Sequence, residues 1–436
     1  MTSQIPKPPD RRGERYMKVP ETAGGAGESF NRVQTAQRDS LKLVEHIEGS
    51  TKLIVPAASL AVDPPPTSPV FFNPAAALNR DISVCLTAAT GGSSFCDSMA
   101  GVGARGVRIA NEVNRIDCVV LVDFNGKALR IARKAAALNR VMRKCEFAQS
   151  ETSSYLYSRF GRDRRFDFVD VDPFGTPVGQ LQGAVRATTD GGILSVTATD
   201  TAVLCGVYPK VARRRYGATP LNNGFNHETA IRLLAGVVAR AAASLDTGAR
   251  PVAAHSTMHY VRLFFSVSVG ATKGDSMLNS LGHVAWCPSC GHVAAARESR
   301  ISCERCGKKA RSTGPIWIGP LVDEDLLQGA RRVADRLNLP KASATLAALS
   351  GLDGFPPWSY SIDDACSTLG IATVPETEVY RSLEERGYSA MRTPFEKTGL
   401  KTNAAYAEVL RAVTESQSLP EGLLDRPHVE RQRIGG

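Results

Sequence analysis

A short apolar run, Phe95-Cys96-Asp97, leads within a few residues into Gly101-x-Gly103-x-x-Gly106, and the next apolar run, Cys118–Val122, ends on Asp123. A strand that turns through glycines into a helix, followed by a strand ending on an acid about 20 residues on, leaves few folds open. Glycines let the backbone approach a ligand, and the acid accepts hydrogen bonds from vicinal ribose hydroxyls. Helical patterns over Ala104–Asn114 and Lys127–Arg140 alternate with strand patterns around Phe147, over Phe166–Val171 and over Ile193–Val196, the last introduced by Gly191-Gly192. His259–Val269 reads as a late strand, part of a hairpin. This alternation predicts an α/β architecture with a largely parallel, doubly wound sheet, and no internal repeat interrupts it. Ligands bind such sheets at the carboxyl ends of the strands, where Asp97, Asp123 and Asp172 fall. The glycine pattern fits NAD and S-adenosylmethionine equally. No Gly-Lys-Ser/Thr follows, which excludes a P-loop.

Asp172-Pro173-Phe174-Gly175, at the end of the fourth strand, separates these readings. It resembles the Asp-Pro-Pro-Tyr type of motif in methyltransferases that act on exocyclic amines. Such an amine is a poor nucleophile because its lone pair is delocalised into the ring. The Asp172 carboxylate and the Pro173 carbonyl can accept its two N–H bonds, and Phe174 can stack on the base. Proline holds that carbonyl in a fixed place.

Of ten cysteines, Cys287, Cys290, Cys303 and Cys306 cluster as Cys-x2-Cys … Cys-x2-Cys, each pair followed by glycine. Four thiolates on two tight turns suit tetrahedral zinc, and a full set of four leaves no open position, so the metal is structural. The other six are scattered, which predicts reduced thiols in an intracellular, cytoplasmic setting rather than a disulfide framework. No apolar run reaches the ~20 residues needed to span a bilayer. Residues 1–40 and 421–436 read as mobile polar tails. A net charge of +10 favours a polyanionic partner. Lys210, Arg213, Arg214 and Arg215 concentrate that charge beside Tyr208 and Tyr216, as an RNA contact would. Arg297, Arg300, Arg305, Lys308, Lys309 and Arg311 surround the cysteines. His227-Glu228 lacks the spacing of a metal site and reads as structural or substrate-side. Beyond Leu321 five helical patterns follow, and Ser361–Gly387 suggests a small winged-helix-like unit. A polar step at Lys273-Gly274-Asp275 marks a domain boundary.

Several long stretches, in order, resemble the tRNA guanine-26 N2-dimethyltransferase family. They are Glu48-Gly49, Val70-Phe71-Phe72-Asn73-Pro74 through Asn79-Arg80-Asp81-Ile82-Ser83, Phe168–Pro177, Thr197–Leu221, His255–Arg262 and Thr393–Ala404. The resemblance implies a Rossmann-like class I methyltransferase domain over 41–274. A smaller zinc-containing α+β domain over 275–420 would bind tRNA, with no obligate protein partner. It implies S-adenosylmethionine as cofactor, with Gly101 and Gly103 in its loop and Asp97 at the strand end. Arg80 and Arg105 would lie by the methionine carboxylate, Asp123 at the ribose, and Glu151 and Thr152 at the adenine, where the family usually has Asp-Ala. Asp172 would be catalytic, aided by Pro173 and Phe174. The implied reaction puts one or two methyl groups on guanosine N2 in tRNA. Methylation of adenine N6 or cytosine N4, or a catalytically silent zinc- and RNA-binding protein, are the rival readings.

Overall fold

The computed structural model describes residues 41–159, 165–257 and 259–417. The two tails expected at 1–40 and 421–436 lie outside them. From Leu41 the described chain packs as one compact unit.

An antiparallel hairpin opens it, β1 (Leu43–Glu48) against β2 (Thr51–Pro56). Helix Ala77–Ala89 follows. The main sheet has seven strands: β3 (Ser94–Asp97), β4 (Cys118–Asp123), β5 (Cys145–Gln149), β6 (Phe166–Val171), β7 (Thr188–Ala198), β8 (Thr247–Ser256) and β9 (Val261–Val269). Their spatial order is β5-β4-β3-β6-β7-β9-β8. The first five are parallel, and β9 and β8 extend the sheet antiparallel. The chain leaves β3 for β4 and β5 on one side, then returns to β6 on the other. The reversal beside β3 opens a crevice at the carboxyl edge, the place where such sheets bind ligands.

Two expectations change in detail. The strand expected from Ile193 begins at Thr188 and runs through Gly191-Gly192, and a register shift opposite Phe166–Phe168 absorbs the extra residues. The late strand begins at Val261 rather than His259, and its hairpin partner is Thr247–Ser256. Helix Asn226–Ala243 is not marked in the sequence pattern. It is buried almost all round, so it shows no polar stripe to mark it as helical.

The polar step at Lys273–Asp275 lies inside helix Ala271–Leu278. Beyond it, β10 (Leu281–Trp286), β11 (Val293–Ala296) and β12 (Arg311–Trp317) form a small antiparallel sheet that carries the four cysteines at one end. Helices Glu324–Arg336 and Pro340–Leu349 then pack on helix Ala77–Ala89. Near the end, helices Ile362–Leu369, Glu376–Glu385 and Tyr406–Glu415 surround a three-stranded sheet of β13 (Tyr360–Ser361), β14 (Ala390–Arg392) and β15 (Gly399–Thr402). That is the composition of a winged-helix unit. One apolar cluster extends from Ile82 to Val413.

Candidate active site

The carboxyl edge of the sheet gathers the candidate residues. Gly101 and Gly103 both have positive φ, 53° and 78°, where a side chain is strained. A Cβ on Gly103 would lie 2.6 Å from the Ala132 Cβ, so the turn also lets two helices close up. Asp123 ends β4 and accepts the Gly101 N–H at 2.7 Å and the Asn125 N–H at 2.8 Å, which fixes the glycine turn against the acid. After it comes Phe124, a large apolar ring left 79% exposed. An open cleft of about 490 Å³ lies there, lined by Ser68, Pro69, Phe124, Lys127 and Gln149 among others. Phe124 was not among the residues expected from the sequence. A bulky ring directly after a strand-end acid was the signal available.

Asp97, at the end of β3, is buried and accepts the Gly106 N–H at 2.9 Å. Burial pushes its carboxyl up to about 7, and neighbouring Asp170 and Asp172 add to the rise against the pull of Arg105. Arg80 is held by Glu48 through two hydrogen bonds and by the Asn73 carbonyl at 3.0 Å. Its guanidinium carbon sits 5.1 Å from the centre of the Phe72 ring. Glu48 of the early Glu48-Gly49 pair therefore seats Arg80, while Gly49, at φ 55°, lies against Arg108 and Glu112.

Arg105 is held by several polar partners of the chain. Its Nη2 pairs with Asp172 Oδ2, its Nε lies 3.3 Å from Asp170 Oδ1, and its Nη1 donates to Asn79 Oδ1 and Ser83 Oγ, both at 2.7 Å. Like Arg80 on Glu48, this guanidinium is engaged by an acid of the chain itself, Asp172. Glu151 is used locally as well. It caps helix Thr152–Ser158, accepting the Ser153 and Ser154 N–H groups at 2.8 and 2.7 Å. Those bonds hold its carboxyl below the usual range. Thr152 turns inward, its hydroxyl donating to the Ser98 carbonyl at 2.8 Å.

Asp172 and Pro173 follow β6 directly, and Phe174 projects 71% exposed, edge-on to Phe71 at 4.8 Å between ring centres. The loop is pinned from the next strand. Gly175 N–H donates to Thr199 Oγ1 at 2.6 Å, and Thr199 N–H donates to the Gly175 carbonyl at 2.9 Å. Neighbouring Asp200 accepts from Tyr216 Oη and from Arg215 at 3.0 Å. The basic segment is helix Pro209–Tyr216, and this chain of contacts sets it beside the Asp172 loop. Lys210, Arg213 and Arg214 face solvent. Arg215 is ion-paired with Asp200, an acid from outside the short window in which the charge run stood alone. His227-Glu228 is structural. Glu228 is buried between Arg232 and Lys401, and His227 Nδ1 meets Glu396 at 2.8 Å.

The four cysteine sulfurs lie within 4.8 Å of one another, with Cys287–Cys306 and Cys290–Cys303 at 3.6 Å. Four thiolates about 2.3 Å from a tetrahedral zinc stand about 3.8 Å apart, so the set fits. Each loop closes on itself: Gly291 N–H donates to the Cys287 carbonyl and Gly307 N–H to the Cys303 carbonyl, both at 2.9 Å. Gly291, at φ 66°, is packed so closely that a Cβ would lie 2.0 Å from the Tyr406 ring.

A glycine-turned, mostly parallel sheet carrying Asp-Pro-Phe-Gly at its carboxyl edge is the architecture of a class I methyltransferase. The model of the N2,N2-dimethylguanosine tRNA methyltransferase family matches residues 49–414, and the chain belongs to that family. The tRNA (guanine(26)-N(2))-dimethyltransferase of Methanopyrus kandleri is 35% identical over 381 residues, 87% of this chain and 98% of that protein. Its counterpart in Pyrococcus horikoshii is 34% identical over 389 residues, 86% of this chain and 99% of that one. The solved complex of Trm1 from Pyrococcus horikoshii with S-adenosyl-L-methionine superposes with a TM-score of 0.74 at 33% identity, covering 85% of this chain and 99% of that chain.

Proposed function

We propose that this chain transfers one or two methyl groups from S-adenosylmethionine to the exocyclic N2 of a guanosine, at position 26, in tRNA. The observation that carries this reading is the Asp172-Pro173-Phe174 loop. It stands at the carboxyl edge between β3 and β7, with Arg105 reaching Asp172 from the helix that the glycine turn begins. S-adenosylmethionine, when bound, supplies a methyl group on a sulfonium, which leaves as a cation equivalent and needs no metal.

The chain's own residues do the rest. Gly101, Gly103, Asp97 and Asp123 form the wall against which the cofactor lies, and exposed Phe124 offers a face to its adenine. Arg80, seated by Glu48, and Arg105, seated by Asp172, are the two guanidiniums placed toward the methionine carboxylate. Thr152, with its hydroxyl turned inward, and Glu151, as a cap, shape the adenine side through the backbone they hold. Asp172 Oδ2 is fixed by Arg105, so Oδ1 is the oxygen that accepts an amine N–H and then its proton. Pro173 offers its carbonyl to the second N–H, and Phe174 stacks on a base that has left its helix. Lys210, Arg213 and Arg214 lie beside this mouth and take the tRNA backbone. Cys287, Cys290, Cys303 and Cys306 would hold a structural zinc, which joins their two loops and adds directly to folding. In this division residues 41–274 carry the chemistry, and 275–420 carry the zinc and help seat tRNA. The setting that fits is the cytoplasm.

Nucleoside analysis of tRNA after incubation with labelled methyl donor is the test. Wild type should yield N2-methyl- and N2,N2-dimethylguanosine, and Asp172→Ala neither, while calorimetric titration shows the mutant still binding the cofactor. Label in adenosine or cytidine, no label at all from wild type, or near-normal turnover by the mutant would overturn the assignment.

A further inference from the structure

Asp170 and Asp172 are two residues apart around the end of β6, so their carboxylates project to the same side. Asp170 is fully buried, and Asp172 is 27% exposed. Two carboxylates that share one guanidinium repel each other unless cations lie between them. Arg105 is one such cation, shared between Asp170 Oδ1 and Asp172 Oδ2. Arg262 is the other. It comes from β9, is fully buried, pairs through Nη2 with Asp170 Oδ2, and donates to Ser83 Oγ at 2.9 Å and Thr197 Oγ1 at 2.5 Å. Ser83 joins the two guanidiniums: its hydroxyl oxygen accepts from Arg105 and Arg262 and donates to the Asn79 carbonyl at 2.9 Å. Arg262 itself stays 4.0 Å from Asp172.

We propose that Arg262, paired with Asp170, is a positioning residue for methyl transfer: it satisfies Asp170 from behind, so that Arg105 keeps one N–H on Asp172. The inference rests on the reading of Asp172 given above. Were Arg262 absent, Asp170 would have a single cation near it. The low dielectric would draw Arg105 down onto Asp170 and away from the reacting carboxylate. Asp172 would then be free to rotate, and its Oδ1 would no longer be presented to the amine.

Arg262→Gln in the full chain tests this. Methyl transfer in a single turnover should fall roughly tenfold to a hundredfold, the scale of an ångström-level misplacement of a reacting group. Cofactor affinity and KM for tRNA should stay within about twofold, because the residue touches neither ligand. Arg262→Lys should recover part of the rate. Thr197→Val removes only one acceptor of the guanidinium and keeps the shape of the strand, so it reads out the same effect at a few-fold loss if Arg262→Gln does not fold. A normal rate in Arg262→Gln, or in Thr197→Val where that variant must stand in, overturns the proposal. So does a rate loss matched by an equal loss of cofactor affinity. If Asp172→Ala abolishes transfer while the Arg262 variants stay normal, only this inference fails. If Asp172→Ala is active, the reading of the site fails first.

Discussion

Asp97 illustrates how burial changes what an acid can do for a cationic ligand. Its carboxyl, pushed up to about 7 by burial, is half protonated near neutral pH while the site is empty. A cofactor bearing a sulfonium and an ammonium favours the ionised form, so binding below that pH must expel a proton. The sign follows: affinity rises as pH rises toward 7 and levels off above it, about tenfold in all between pH 6 and pH 8. Titration calorimetry in buffers of different ionisation enthalpy should show proton release at pH 6.5. Asp97→Asn should lose both the release and the pH dependence, and a flat wild-type profile would remove Asp97 from this role. At this scale the acids were legible, because Asp97 and Asp123 end strands and Asp172 directly follows one, and strand ends are visible as the close of an apolar run. The arginines were not. Arg105 meets an acid 67 residues away and Arg262 one 92 residues away, so nothing local tells a ligand-binding guanidinium from one that holds another side chain.

The same limit acts on elements. Helix Pro209–Tyr216 was visible as a basic run with tyrosines on either side, but its use of Arg215 was hidden until Asp200 came into contact. Lys210, Arg213 and Arg214 remain to meet phosphates. Every phosphate that a variant no longer neutralises should lower the slope of log affinity against log salt by roughly 0.7 to 0.9. Replacing these three by Ala should therefore flatten the salt dependence of tRNA binding by about two units while leaving cofactor affinity unchanged. Arg215→Ala should act differently, loosening the Asp200 contact and lowering turnover more than the slope. A triple mutant with the wild-type slope would move the RNA path elsewhere, first to exposed Arg305, Lys308 and Lys309 at the cysteine loops. Among the strands of the parallel sheet, β4 was the most readable, because its apolar run Cys118–Val122 is unbroken and buried on both faces. Helix Asn226–Ala243 escaped for the same physical reason: full burial removes the periodicity that marks a helix.

Across the whole molecule, long-range polar ties cross the position where a boundary was expected. Lys401 Nζ, buried on β15, donates to Glu228 Oε1 at 2.8 Å and to the carbonyls of Pro356 and Trp358 at 2.6 and 2.8 Å. Arg232 reaches the carbonyls of Trp317 and Gly319 at 3.3 and 3.0 Å, and Thr219 and Gly314 exchange two backbone hydrogen bonds at 3.0 Å. Glu228 thus anchors the C-terminal unit to the long helix behind the main sheet. Lys401→Met would leave Glu228 to Arg232 alone and the Pro356 and Trp358 carbonyls without their donor, so it should cost about 1–3 kcal/mol. Because the ties link both halves, that loss should lower one common transition rather than release the C-terminal part alone. The three tryptophans, Trp286, Trp317 and Trp358, all lie beyond the glycine-loop sheet and report on the far half. S-adenosylmethionine, bound at that sheet, should nevertheless raise the melting temperature seen by tryptophan fluorescence, since a ligand of the native state stabilises whatever unfolds with its site. Coincident fluorescence and far-ultraviolet circular dichroism melts, shifted together by cofactor and by Lys401→Met, are the expected result. A tryptophan transition that ignores cofactor, or two separated transitions, would show that the halves unfold independently and that Glu228–Lys401 joins them only weakly.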